Sequence, residues 1–105
     1  MGEYEVVYTR SVVDFMMAEI ESERVYDKVD EYRRALALFP DIGHRYDPHY
    51  EAARPPFPCR FIAVPDTPFT LYYTKDDARR RVVVFHIEHQ RADPGVRFAG
   101  ALASN

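Results

Sequence analysis

Residues Phe69–Pro94 read FTLYYTKDDARRRVVVFHIEHQRADP, and the order of their residue types specifies two strands joined by a tight polar turn. Phe69, Leu71 and Tyr73 alternate with Thr70, Tyr72 and Thr74, the period of two that a strand requires. Lys75–Ala78 supplies the turn, so the pair is a hairpin. Beyond the basic triplet Arg79–Arg81, the β-branched and aromatic run Val82, Val83, Val84, Phe85 and Ile87 predicts a strand over about 80–90, buried on at least one face. His86, Glu88, His89, Gln90 and Arg91 gather at its far end, and Asp93-Pro94-Gly95 stops it. Strict alternation places Phe85, Ile87, His89 and Arg91 on one face and His86, Glu88 and Gln90 on the other. Titratable groups at the end of a buried strand mark the floor of a candidate site.

Upstream, Glu3–Thr9 alternates as a short strand. Ser11 then stands as an N-cap, followed by Val12, Val13, Met16, Met17 and Ile20 at helical spacing. A second stripe, Val25, Val29, Tyr32, Leu36 and Phe39, recurs every three or four residues with Ser22 as its cap. The spacing predicts helices over about 11–21 and 24–39, folded as a hairpin; with no Gly or Pro between them, one long helix is the alternative. Pro40 ends the second helix. Seven of the eight prolines fall within residues 40–68, where turn-like sequences predict a long loop. Phe57–Ala63 alternates as a further strand. The expected architecture is α+β, in the order β-α-α-β-β-β. A two-helix hairpin packs on a four-stranded antiparallel sheet whose other face is open. Residues 1–98 are expected to form a single domain and 99–105 a flexible tail.

A chain of 105 residues with 47% hydrophobic and 14% aromatic content can bury one core, which excludes intrinsic disorder. The single cysteine, Cys59, excludes an intramolecular disulfide and a Cys-based metal site, and favours a reducing compartment. No apolar run approaches the roughly 20 residues of a membrane span. The acidic, alternating start MGEYEVVYTR is unlike a secretory signal. A cytoplasmic location without membrane partners is therefore expected. The net charge of −3 is unevenly spread: residues 1–53 carry −6 and residues 54–105 carry +3, so base is concentrated on the predicted sheet.

Two segments carry a resemblance. Leu36, Pro40 and Gly43 close the second helix in an L…P..G pattern, and Leu71-Tyr72-Tyr73 precedes a charged turn and Val84-x-x-Ile87-x-His89-x-Arg91-x-Asp93-Pro94. With the element order, these resemble the RelE/ParE superfamily of toxins from type II toxin–antitoxin systems, and the last strand is similar to the ParE-like plasmid-stabilisation branch. The resemblance extends in layout over residues 4–98. It implies a growth-inhibiting toxin silenced by a cognate antitoxin protein, with either the ribosome and its mRNA or DNA gyrase as target, and no cofactor. Metal-free RNA cleavage needs phosphate charge stabilised and protons moved. The resemblance assigns Arg60 and Arg91 to the first task and His89 to the second, with Lys75, Arg79, Arg80, Arg81 and Tyr72 as nucleic-acid or target contacts. Two positions depart from the nuclease pattern: Thr70 stands where such relatives tend to carry arginine, and Gln90 where some carry tyrosine. Ribosome-dependent mRNA cleavage, non-enzymatic gyrase inhibition and a plain protein-interaction module all remain consistent with the residues.

Overall fold

The computed structural model describes residues 3–46 and 57–90. Its elements are β1 (Glu5–Tyr8), α1 (Arg10–Glu19), α2 (Glu23–Leu38), β2 (His44–Arg45), β3 (Arg60–Ala63), β4 (Phe69–Asp76) and β5 (Arg81–His89). The segment Arg10–Leu38 forms two helices rather than one long one. Ser22 caps α2 by accepting a bond from the Val25 N–H, and Glu23 lies in the first turn, where a negative charge suits the helix dipole. At about 1.5 Å per residue, the 16 residues of α2 span about 24 Å, close to the length of the eight-residue β4. Phe39 leaves the helical region at φ −133°, ψ 75°, as the residue before a proline must. The expected cap at Ser11 is corrected. Helix α1 begins at Arg10 with Thr9 as N-cap, because the Thr9 N–H is still bonded to the Val84 carbonyl at the end of the β1 pairing.

The strand order is β1-β5-β4-β3-β2, a five-stranded mixed sheet. The expectation of four antiparallel strands is corrected twice. Strand β1 runs parallel to β5, with Val6 opposite Val82, and the two-residue β2 adds an edge strand antiparallel to β3. Alternation is the same in either direction, so the orientation of β1 was not encoded in its period. Flanked on both sides, β5 is a central strand, which accounts for its unbroken apolar run.

The parity of β5 breaks in the middle. Tyr73 pairs with Val84 and Tyr72 with His86, so Phe85 is an extra residue, a β-bulge. Val82, Val84 and Ile87 join the core under the helices with Val12, Met16, Val29, Leu36, Leu71 and Tyr73. Phe85 instead joins Cys59 and Tyr72 on the opposite face. The expected placement of Phe85 beside Ile87 is therefore corrected. That opposite face is not bare either. Phe57 lies 4.6 Å from Phe85, and Tyr46 meets Tyr72 edge-on at 5.3 Å, so aromatic side chains from beside β2 and β3 cover it.

One buried phenol ties the helices to the sheet. The Tyr73 hydroxyl donates to the Pro40 carbonyl and accepts from the Gly43 N–H, each at 2.9 Å, so the turn after α2 is fastened to β4. Burial pushes the Tyr73 pKa up. Gly43 is required by this contact: a Cβ there would come within 2.7 Å of both the Tyr73 hydroxyl and the Phe61 carbonyl oxygen. Gly43→Ala is expected to cost about 1–3 kcal/mol, the usual range for an overpacked site. Urea denaturation measures it, and an unchanged midpoint would show that the turn yields freely.

Candidate functional site

The sequence-predicted residues fall at opposite ends of the sheet. His89 is opposite Phe69 at one end of the β4–β5 pair, while Lys75 is opposite Val82 near the other. The separation along β4 is six residues, about 20 Å. Arg60, opposite Tyr73 on β3, is displaced from His89 by about 13 Å along the strands and about 10 Å across them. Arg60 is also anchored away from His89. Its Nη1 donates to the Gly43 carbonyl at 2.9 Å, and its Nε is 3.6 Å from Asp41. Arg91 lies outside the described residues, as do the Asp93-Pro94 turn, the tail and residues 47–56 of the proline-rich loop.

His89 keeps its predicted face with Ile87. Its ring meets Phe69 edge-on at 5.7 Å, in a cleft walled by Glu19, Glu21, Ile20 and Val25. This is the helix side of the sheet, and among the described residues the charges that line the cleft are acidic. At the hairpin turn the three arginines diverge, because Arg80 takes the left-handed conformation, φ 50°. Arg79 pairs with Asp76 at 3.0 Å, Arg80 lies over the Tyr4 ring at 4.8 Å, and Arg81 pairs with Glu5 at 3.1 Å. The triplet is thus no single patch. Tyr72 is buried on the aromatic face, at 4% exposure, rather than presented to a ligand.

Arg60 and Lys75 do converge, at the end of the sheet where β3 begins. Lys75 Nζ is held by Asp41 at 2.8 Å and Asp77 at 3.4 Å, and Asp77 also accepts from the Tyr4 hydroxyl at 2.6 Å. The bond to Asp41 raises the Lys75 pKa, and the Tyr4 hydroxyl, with Lys75 behind it, lowers that of Asp77. Arg45, which sequence reasoning passed over, pairs directly across from Arg60. Its only signal in the sequence was its place in a two-residue strand too short to show a period.

The bulge at Phe85 creates a second constellation. It turns His86 onto the face of Tyr72, the two rings 5.5 Å apart, and His86 Nε2 lies 3.0 Å from the Glu88 carboxylate. Glu88 is buried, at 5% exposure. A carboxylate that orients an imidazole is the arrangement of a proton-transfer pair. The His-x-Glu spacing on one strand was the available signal, since residues two apart share a face.

Among the described residues no group of three or more His, Cys, Asp and Glu is placed to hold a metal ion. No helix among them is long and apolar enough to cross a membrane. No family model, no curated protein and no solved structure matches the chain.

Proposed function

We propose that this chain is the toxin of a type II toxin–antitoxin module and that it arrests growth by occupying a protein target, such as DNA gyrase, without cutting RNA. The toxin class rests on the resemblance of residues 4–98. The non-catalytic mode rests on one observation: His89 stands two strands across and about 13 Å along from Arg60, and about 20 Å along the sheet from Lys75. A proton donor must reach the reacting oxygen within about 3 Å while a cation stabilises the same phosphorus centre. Arg60 and Lys75 therefore cannot serve the phosphate that His89 would reach.

Induced expression is expected to arrest growth, with ribosome-bound mRNA intact and gyrase supercoiling inhibited by the purified protein at stoichiometric ratio. His89→Ala is expected to leave the arrest unchanged. Cleaved mRNA, or loss of arrest in His89→Ala with the fold intact, would overturn the proposal.

The His86–Glu88 pair favours a second reading, ribosome-dependent mRNA cleavage with His86 rather than His89 as the proton-transfer group. Under that reading His86→Ala abolishes both cleavage and arrest while His89→Ala abolishes neither. A cytoplasmic location and a cognate antitoxin belong to both readings.

A further inference from the structure

The sheet is incomplete where Arg60 and Lys75 meet. Strand β3 pairs with β4 only from Arg60 onward, so Thr74 and Lys75 have strand partners on β5 but, among the described residues, none on the other side. The result is an open notch of about 360 Å³, lined by Arg45, Phe57, Cys59, Arg60, Thr74 and Lys75. Its volume is at the small end of ligand sites, which run from about 300 to 1,000 Å³.

The charges of the notch are unbalanced. Arg45 and Arg60 stand directly opposite each other in register, and like charges so placed repel. The neighbouring carboxylates are committed: Asp41 faces Arg60 and Lys75, and Asp77 faces Lys75. Among the described residues Arg45 makes no ion pair, and Arg60 bonds through Nη1 and Nε but not Nη2. Among the described residues, two guanidinium groups therefore present unused N–H donors beside an apolar wall that includes Phe57. A phosphate monoester carries about two negative charges and three acceptor oxygens, which suits paired guanidinium groups. An aromatic wall beside it suits the face of a base.

We propose that this notch binds a nucleoside 5′-phosphate, free or as the 5′ end of a single-stranded oligonucleotide, with Arg45 and Arg60 on the phosphate and Phe57 against the base. The proposal is independent of the growth target, since it concerns a ligand rather than the protein that the toxin occupies.

Titration calorimetry with uridine 5′-monophosphate, uridine, inorganic phosphate and a glutamate-rich peptide tests it. Saturable binding of the monophosphate is expected, weakened about tenfold or more by Arg45→Ala, the loss of one charge-assisted contact. Arg45 is exposed and its charge opposes that of Arg60, so the thermal midpoint of that variant should not fall. Arg10→Ala, which removes the same charge from exposed helix surface, should change binding less than twofold. Phe57→Ala should weaken the monophosphate but not inorganic phosphate. A 5′-phosphorylated oligonucleotide that competes, while its 5′-hydroxyl counterpart does not, assigns the strand end as the source; competition by the free nucleotide alone assigns the small molecule. No saturable binding of the monophosphate overturns the proposal. So does equal binding of uridine, of inorganic phosphate or of the glutamate peptide, and so does an Arg45→Ala variant that binds as well as the parent.

Discussion

Phe85→Ala is expected to destabilise the fold by about 3–5 kcal/mol, the range for emptying a buried aromatic site. The residue is 2% exposed, and its ring is 4.6 Å from Phe57 on the face away from the helices. Its neighbours are strands and aromatic rings rather than mobile side chains, so the cavity cannot close cheaply. A conservative Phe85→Leu change should cost less than about 1.5 kcal/mol if volume is what matters. The sheet face can be tested separately. A double-mutant cycle of Phe85→Ala with Phe57→Ala should give a coupling of about 0.5–1.5 kcal/mol, whereas a cycle with Val29→Ala, under the helices, should be near additive. Coupling to Val29 instead of Phe57 would mean that the bulge does not exist in solution. The contact of His86 with Tyr72 depends on the same bulge.

Cys59 is expected to react at least thirtyfold more slowly with iodoacetamide at pH 8 than a thiol in the unfolded chain. Burial pushes its pKa from 9.0 up to about 12. At pH 8 this lowers the thiolate fraction about a thousandfold, while the greater basicity of the sulfur returns about twentyfold to thirtyfold in intrinsic reactivity. The side chain is also only 8% exposed, which slows attack further. The native rate should rise about tenfold per pH unit well past 9, where the unfolded thiol has already levelled off. The same shift sets a stability trend. The folded thiol holds its proton above the unfolded pKa, so its contribution is complete below pH 9 and is lost as pH rises towards about 12. Equal alkylation rates in buffer and in urea would rule out a buried Cys59 and with it the aromatic packing around Tyr72.

Much of the fold was legible in local pattern. The stripes Val25-Val29-Leu36 and Val12-Met16 declared amphipathic helix on both sides of Ser22, because caps and periodicity act within a few residues, while the choice of two helices over one long one came from the structure. The β4–β5 hairpin followed from alternation and a polar turn in the same way. What the chain could not declare was how distant parts meet. Period two does not state whether β1 runs parallel or antiparallel to its neighbour, and a two-residue strand such as β2 has no period at all.

The site shows the same division. Sequence alone determined that the last strand would carry histidines at its polar end and that base would lie on the sheet. Only the tertiary structure decided which of these groups meet. Register put His89 about 13 Å along the strands and two strands across from Arg60. A single extra residue at Phe85 then parted it from Ile87 and put it on the face that carries Tyr72 and His86. The physical reason is that strand pairing is a long-range choice, settled by which side chains fill the two faces of the sheet together.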